Sequence, residues 1–416
     1  MTFFQRFWNK LTYNKALEES SGKFETMFFD LIYRIIYITG SSTVETSTGY
    51  FIYSIITKLS IMLFFSSEVW FFIYYARDID TLIDCVNAIF IQAATLIKNI
   101  KRVAQSETFK KLASAMESPN FDVSTDARRK LVDVWAKKNK AYSMFWFLHG
   151  VCTLTFWYSY PFLDDIDYNL MLAIYIPFDY HRSSTYLIAY IMVMIVFTFI
   201  SYIVMSTDIL MQTCIVHLLC QVLVLQDCFD NILNECVEDF GGIPESDLLG
   251  NERFREKFKN RLRDLINQQR FITNNIMELR NILSFPLLAH MATSTVLICS
   301  IGFQIVSSAS VNISKSLMSL FYLGYNMIIL YNFCRWCEEL TIQSEGIGAK
   351  VYSLGWERGL ATIPGVRSSL LLILTCSNKP IVFTAGGMYD LSLDSYANMI
   401  KTSYSAFTML LRFRRG

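Results

Sequence analysis

Hydrophobic residues along the chain form seven runs, which polar connections separate. A membrane-spanning helix needs about 20 consecutive and mainly apolar residues, and the runs have roughly this length. The last run is the least apolar. The predicted spans are residues 50–75, 81–100, 141–163, 186–205, 283–306, 316–336 and 391–411. The pattern therefore predicts an all-α membrane protein with seven transmembrane helices.

Three of the predicted helices continue beyond their spans. Between residues 251 and 283, apolar residues recur at helical spacing and basic residues occupy the other faces, so one long helix should run into span five. Span four continues helically past Asp208, and span six runs through Trp336 to Leu340. We expect these extensions to form a cytosolic anchor in which the subunits of an oligomer meet. A helix lying on the membrane surface is the alternative.

Basic residues in the connections predict the orientation of the spans. Lys and Arg concentrate between spans two and three and between spans four and five, which assigns both connections to the cytosol. The connections after spans one, three and five each contain a single Lys or Arg, so we expect them outside. These basic residues are Arg77, Arg182 and Lys315. No cleavable signal peptide is expected. The N-terminus is then cytosolic and the C-terminus extracellular, which is the reverse of a G-protein-coupled receptor and argues against a metabotropic receptor. The sequon at Asn312 lies in an outer connection and is a candidate glycosylation site.

The composition agrees with a membrane protein and excludes several kinds of chemistry. Of 416 residues, 53% are hydrophobic and 18% are charged, with a mean hydropathy of +0.33 and a net charge of +1. There is no HExxH, GxSxG or phosphate-binding glycine loop, and His149, His217 and His290 are expected to pack within helices. Cys334 and Cys337 form a CxxC pair without nearby His, which core packing explains better than zinc. We therefore expect no enzyme, no metal, no cofactor and no nucleic-acid partner, and mainly free cysteine thiols.

The last span follows a Gly386-Gly387 pair, which predicts a flexible connection, and has polar residues on one helical face. These are Asp394, Asn398, Lys401, Ser405, Thr408 and Arg412. Tyr396, Ile400, Phe407 and Leu411 cover much of the opposite side. An intramembrane charge is costly unless it meets water, so the pattern favours a pore-lining helix to which several subunits contribute. Hydrogen bonding to neighbouring helices is one alternative. A transporter with Lys401 and Asp394 as coupling residues is another, against which the lack of an inverted repeat argues.

The C-terminal sequence is similar to that of a known family. Lys401-Thr402 followed by SYSAFTML, with PIVFTAGGMYDLSLDSYANMI at residues 380–400, resembles the closing segment of insect odorant receptors. The outer-loop stretch YIPFDYHRSSTYLIAY at residues 175–190, the length and the inverted topology extend the resemblance over nearly the whole chain. Gustatory receptors, which rank second, end in a Thr-Tyr pair followed at a distance by Gln-Phe, and this chain lacks that pattern.

The resemblance implies a ligand-gated, nonselective cation channel of four subunits in the plasma membrane of a sensory neuron. The last helix of each subunit would surround one pore. Because the chain lacks the long insertion that coreceptors carry between spans four and five, it resembles a tuning subunit that assembles with a common coreceptor into a heterotetramer. Met409 and Phe413 align with gate positions of the family. The predicted pore-lining residues are Asn398, Lys401, Ser405, Met409, Arg412 and Phe413.

The resemblance also implies a pocket for a small hydrophobic volatile ligand in the outer half of the membrane, between spans two, three, four and six. Tyr322 and Tyr325 match a pair of pocket tyrosines in the family. Depth and helical face alone add further candidates. These are Val86, Ile89, Phe90, Leu154, Trp157, Tyr158, Tyr190 and Met194. For each aromatic residue, packing between helices or an interfacial belt is the alternative.

The expected organisation has four parts. Residues 1–49 form a cytosolic N-terminal segment, and residues 50–250 contain spans one to four with elements of the ligand pocket. Residues 251–380 contain the anchor helices with spans five and six, and residues 381–416 contain the pore-lining span seven. Glu68 in span one has no evident partner in the sequence.

Overall fold

A computed structural model of the chain describes residues 10–163, 167–240, 248–309, 312–354 and 359–415. Helices dominate it. They are α1 (Lys15–Glu18), α2 (Lys23–Ile38), α3 (Thr48–Tyr74), α4 (Ile79–Ala104), α5 (Ser106–Ala113), α6 (Asp126–Ser159), α7 (Ser183–Val237), α8 (Glu252–Ser308), α9 (Ile313–Tyr352), α10 (Val366–Ser377) and α11 (Leu393–Arg415). Short 3-10 turns occupy Ala115–Glu117, Tyr160–Phe162, Glu238–Phe240 and Leu360–Thr362. The strands β1 (Thr384–Ala385) and β2 (Tyr389–Asp390) pair antiparallel.

The seven predicted spans lie on α3, α4, α6, α7, α8, α9 and α11, which confirms the all-α membrane architecture. In the described part of the chain, five helices are long and apolar enough to cross a membrane on composition alone: α3, α4, α7, α8 and α9. The other two predicted spans coincide with α6 and α11, where polar residues are more frequent. Their assignment as spans depends on their place in the bundle rather than on hydropathy.

Side-chain caps set the beginnings of several long helices. The oxygens of Ser47, Asp78, Thr125 and Asn312 each accept a hydrogen bond from the backbone N–H three residues further on, and Asn251 accepts from the second and third N–H. Such caps satisfy backbone donors that have no partner within the helix. The chain therefore encodes the start of these helices locally.

Helix α7 lies at the centre of the bundle and packs against α2, α4, α6, α8 and α9. Residues 203–222 of this helix are all buried, which explains why apolar residues occur on every side of it. The extensions of α7, α8 and α9 beyond their spans are continuous helices, as predicted. In α8, the predicted apolar stripe that begins with Phe254, Phe258 and Leu262 is buried. Its contribution to an oligomer remains a prediction.

The N-terminal segment contains a helix that hydropathy did not predict. Helix α2 packs on α7, and Phe28 and Phe29 contact the ring of His217 at centroid distances of 5.0 and 5.5 Å. His217 is 1% exposed, so the predicted packing role of this histidine is confirmed. Residues 23–38 were missed because a 16-residue amphipathic helix is too short to cross a membrane.

A charged network joins α6, α7 and α8 beyond their spans. Arg128 is fully buried, and its guanidinium binds the carboxylates of Asp122 at 2.8 Å and Asp227 at 3.0 Å, together with Glu235. Arg261 of α8 binds Asp122 and Glu235 as well. The buried guanidinium is thus fully paired, as a charge removed from water requires.

The Gly386-Gly387 pair forms a turn rather than a flexible connection. Both glycines have positive φ, +61° and +73°, and together they reverse the chain between β1 and β2. Residues with a Cβ rarely adopt this conformation, whereas glycine does so at little cost. The hairpin packs against α8 and leads directly into α11.

The cysteines are free thiols, as predicted. Cys334 and Cys337 are completely buried on α9. Across the described ranges no three His, Cys, Asp or Glu side chains come together in a way that could bind a metal ion.

Candidate functional site

An apolar cavity lies between α4, α6, α7 and α9, and the loop that joins α6 to α7 contributes to its lining. The volume within which the centre of a water molecule fits is about 60 Å³. By the same measure one buried water needs at least about 10–15 Å³, so the cavity is larger than a site for one water. Its lining is almost entirely apolar. The lining residues are Ala88, Ile91, Gln92, Gly150, Thr153, Leu154, Trp157, Leu172, Phe197, Ile200, Ser201, Val204, Met205, Tyr322 and Tyr325.

Trp157 of α6 organises one side of this cavity. Its ring meets Tyr322 edge to face at a centroid distance of 4.9 Å and Phe197 at 5.3 Å. The indole nitrogen donates a hydrogen bond to the carbonyl oxygen of Met171 at 2.8 Å. This bond fixes the α6–α7 loop over the cavity, so that Leu172 of the same loop becomes part of the lining. A flat aromatic surface closed by a loop suits an apolar ligand.

Four of the ten predicted ligand residues line the cavity: Leu154, Trp157, Tyr322 and Tyr325. The structure places the three candidates from α4 elsewhere. Val86 and Ile89 are half-buried outside the lining, and Phe90 is exposed on the surface of the bundle. Ala88, Ile91 and Gln92 take their place on the cavity face of the same helix.

Tyr158, Tyr190 and Met194 also lie outside the lining, in the contact between α6 and α7. The Tyr158 hydroxyl is 2.7 Å from the hydroxyl of Thr198, and the Tyr190 hydroxyl donates to the carbonyl oxygen of Tyr158. Met194 is half-buried. From α7 the cavity receives residues one or more turns deeper. They are Phe197, Ile200, Ser201, Val204 and Met205.

Sequence reasoning missed these deeper residues, and also Gly150, Thr153 and Leu172. The helical repeat does carry the signal for α7, because residues 197, 200, 201 and 204 share one face. No periodic pattern could have indicated Leu172, which belongs to a loop.

Glu68 of α3, for which the sequence offered no partner, lies behind the cavity. It is 1% exposed, and its Oε2 accepts a hydrogen bond from the Gln92 amide nitrogen at 2.6 Å. Its other oxygen has no hydrogen-bond partner among the described residues. Gln92 therefore connects a buried carboxyl group to the cavity lining.

Two more cavities adjoin the apolar one. Beyond Leu172, a polar cavity of about 520 Å³ contains Asp84, Asn312 and Lys315, and Lys315 Nζ is 2.6 Å from Asp84 Oδ2. On the opposite side, a cavity of about 10 Å³ shares Ile91 and Tyr325 with the apolar cavity. Lys98, Asp208 and His290 also line the smaller cavity. Asn312, the predicted glycosylation site, caps α9 and is half-buried.

The last helix has one covered and one uncovered face. Five predicted pore residues, Asn398, Lys401, Ser405, Met409 and Arg412, are exposed in the single chain. The side chain of Phe413 lies outside the described residues.

The covered face of α11 packs on α8 and α9. The Ser403 hydroxyl donates to the carbonyl oxygen of Thr295 at 3.2 Å, and Tyr396 meets Tyr331 edge to face at 5.6 Å. Phe407 lies against Gly302. Helices α8 and α9 thus separate the apolar cavity from α11.

Comparison with known families decides what kind of protein carries this arrangement. The family described as 7tm Odorant receptor matches residues 59–404. The match includes every cavity-lining residue and the first half of α11. This chain belongs to the odorant receptor family.

Two fly odorant receptors are similar to this chain at low sequence identity. Odorant receptor 13a of Drosophila melanogaster is 28% identical over 158 residues, which is 36% of this chain and 38% of that receptor. The chain thus matches well under half of that receptor's length. Odorant receptor 94a of the same fly is 20% identical over 314 residues, 74% of each chain.

A solved structure shares the complete fold of this odorant receptor. The insect olfactory receptor OR5 from Machilis hrabei in complex with eugenol superposes with a TM-score of 0.78. The superposition covers 94% of this chain and 100% of that one at 13% identity. A structure of the same receptor described without a ligand gives a TM-score of 0.77 at 14% identity, covering 93% and 98%. The chain is therefore a multi-pass membrane protein with the olfactory receptor fold.

Proposed function

We propose that this odorant receptor is the odorant-binding, tuning subunit of a tetrameric, ligand-gated, nonselective cation channel that it forms with a common coreceptor. The observation that supports binding is the apolar cavity, which is lined by Leu154, Trp157, Tyr322 and Tyr325 and closed by Leu172. The related receptor OR5 is described in complex with eugenol, a small aromatic compound. The ligands of this chain are small hydrophobic volatile molecules of similar chemistry.

The uncovered polar face of α11 supports the channel part of the proposal. Asn398, Lys401 and Ser405 lie on a face that the chain itself leaves exposed. Charged side chains within a membrane need water or a partner, and a pore between subunits supplies water. Arg412 lies on the same face, and four copies would repel cations. A coreceptor with neutral residues at this level would reduce that repulsion, so the heteromer should conduct better than a homotetramer.

The coupling between cavity and pore passes through α8 and α9. Ligand binding favours one packing of α7, α8 and α9, and this packing allows α11 to move outward and widen the pore. The contacts Ser403–Thr295 and Tyr396–Tyr331 are the points where α11 would follow its neighbours. Residues 251–380 then combine the anchor with the coupling helices, and residues 381–416 provide the pore.

Whole-cell currents test this proposal. Cells express this chain, a coreceptor, or both, and volatile esters, ketones, phenols and heterocycles are applied. We expect cation currents only when both chains are present, and a changed order of ligand potency for Tyr325→Ala. Leu320→Ala, on the exposed side of the same helix, should leave that order unchanged. Surface-delivered protein that gives no current with any volatile would contradict the channel and favour a transporter.

A further inference from the structure

Gln92 is a cavity residue with an amide side chain, and one atom of that amide has a defined partner. Its amide nitrogen donates to Glu68 Oε2 at 2.6 Å. The nitrogen is therefore engaged by Glu68, and the oxygen is the atom of this amide that stays available to a ligand in the cavity that Gln92 lines. In the described part of the chain, no hydrogen bond to this oxygen occurs. The arrangement presents a hydrogen-bond acceptor to a ligand.

A second polar group of the cavity has no partner. The Tyr322 hydroxyl is buried, and no described residue hydrogen-bonds to it. Asn326, one turn further along α9, donates its amide to the backbone carbonyl oxygen of Tyr322 at 3.0 Å. A buried hydroxyl without a partner costs free energy that a ligand can recover.

The remaining polar groups are less specific. The Thr153 hydroxyl already donates to the carbonyl oxygen of His149 at 3.0 Å. The hydroxyls of Ser201 and Tyr325 can each act as donor or acceptor. By contrast, the Gln92 oxygen can only accept. The ligand that satisfies it must bring a donor.

We propose that Glu68, Gln92 and Tyr322 make this receptor selective for small ligands with one hydroxyl group, that is, phenols and alcohols. The ligand hydroxyl donates to Gln92 Oε1 and accepts from the Tyr322 hydroxyl, and the hydrocarbon part occupies the apolar remainder of the cavity. Glu68 does not line the cavity and acts as a positioning residue that fixes the Gln92 amide. This inference rests on the proposed function, because it assigns a chemical class to the same ligand site.

The physical reason for selectivity is that an unpaired polar group costs free energy, whether it belongs to the cavity or to the ligand. A hydrocarbon of the same shape would leave the Gln92 oxygen and the Tyr322 hydroxyl unbonded, and sites built to bind a hydroxyl reject analogues that lack it. A purely apolar cavity would show the opposite preference, because a hydroxyl loses water on binding and gains nothing. The sign of the preference therefore separates the two cases.

A matched ligand pair tests the inference by direct binding. 4-Methylphenol and p-xylene differ only in a hydroxyl in place of a methyl group. Ligand binding to the folded state stabilises it by RT ln(1 + [L]/Kd), where [L] is the free ligand concentration. Melting curves of the purified, detergent-solubilised chain at several ligand concentrations therefore give both dissociation constants without a need for channel opening. We expect 4-methylphenol to bind at least about tenfold more tightly, as one to two net hydrogen bonds allow. Equal affinity, tighter binding of p-xylene, or no binding of either compound would overturn the inference.

Variants assign the preference to the named groups. Gln92→Leu should bring the two affinities within about twofold of each other while p-xylene binding persists, and Tyr322→Phe should reduce the ratio in the same direction. If Gln92→Leu does not fold, Tyr322→Phe decides alone. An unchanged ratio in the variant that folds would refute the assignment.

Glu68 is tested by a conservative and a disruptive change. Glu68→Gln retains an oxygen that can accept from the Gln92 amide and should keep the preference, whereas Glu68→Leu should lose most of it. Phe90→Leu, on the exposed surface of α4 outside the cavity, should not change the ratio. Currents from cells that also express a coreceptor distinguish a failure of the proposed channel function from a failure of the proposed ligand class. Selective binding without current would contradict the channel, and current without hydroxyl selectivity would contradict the ligand class.

Discussion

Lys98 of α4 and Asp208 of α7 form an ion pair inside the helical bundle, with side chains that are only 2% and 5% exposed. The pair lines the small cavity beneath Tyr325, so it supports the ligand cavity from the side away from Leu172. His290 of α8 lines the same small cavity. The pair thus joins α4 and α7, two helices of the ligand cavity, close to α8, on which α11 packs.

Removal of one charge from this pair should destabilise the protein strongly. Asp208→Asn leaves the ammonium of Lys98 buried without a counter-charge, which typically costs about 3–5 kcal/mol. We expect a large loss of folded protein at the cell surface, measured by surface labelling, and a lower melting temperature in detergent. Lys98→Met combined with Asp208→Leu should recover most of the loss, because apolar residues of similar size need no partner. A single variant as stable as the wild type would contradict this role.

The fully buried Arg128 should not tolerate replacement by lysine. Its guanidinium bonds three carboxylates, and one ammonium group cannot reproduce that geometry. Each charge-assisted hydrogen bond lost costs about 1.5–3 kcal/mol, so Arg128→Lys should lower the unfolding free energy measurably in denaturant titrations. Arg129→Lys is the control, because this neighbouring side chain is 59% exposed and its pair with Asp126 contributes little. Equal stability of the two variants would count against the network.

Asp122 of the same network should make the stability of the fold depend on pH in the acidic range. Burial raises the pKa of Asp122, but hydrogen bonds from Ser124 and Arg261 outweigh burial and lower the pKa to about 2. A carboxyl group with a lowered pKa stabilises the fold above its unfolded pKa, and this contribution disappears as the pH falls toward the folded value. The melting-temperature difference between wild type and Asp122→Asn should therefore be constant from pH 7 to 5 and should shrink below about pH 4. A melting-temperature difference that grows as the pH falls would contradict this role of Asp122.

The sequence predicted the spans and extensions because hydropathy and helical spacing are local properties. It predicted the cavity only in part. On α4 the predicted face, Val86 to Phe90, is offset from the observed face, Ala88 to Gln92, because each residue turns the helix by about 100° and packing against neighbours sets the rotation.

Loop contributions and long-range pairs were beyond the sequence. Leu172 follows no periodic pattern, and it reaches the cavity because Trp157 binds the adjacent Met171. The bond between Glu68 and Gln92 depends on the relative height of α3 and α4, which one sequence does not specify. Packing therefore decides the chemistry of the cavity.

Gly150 gives the cavity part of its room. A Cβ atom at this position would collide with the Met205 side chain, which also lines the cavity. Gly150→Ala should push Met205 into the cavity. It should lower the affinity for the largest ligands by about tenfold or more, with little effect on the affinity for the smallest. Gly324→Ala on α9 is the control, since its added methyl group meets only His149 Nε2 at 4.0 Å. Concentration–response curves for a homologous ligand series measure both variants, and a uniform effect across the series would exclude a loss of volume.

The central claim, that odorants bind in the cavity between α4, α6, α7 and α9, is tested most directly by filling it. Ser201→Phe places a ring in the cavity, and Phe90→Leu alters only an exposed surface of α4. Odorant-evoked currents are recorded with the coreceptor present, together with surface density and the response to a ligand that opens the channel through the coreceptor. The account predicts that Ser201→Phe raises the half-maximal odorant concentration at least about 100-fold with the other two readouts intact, and that Phe90→Leu has no effect. An unchanged odorant response in surface-delivered Ser201→Phe would contradict it.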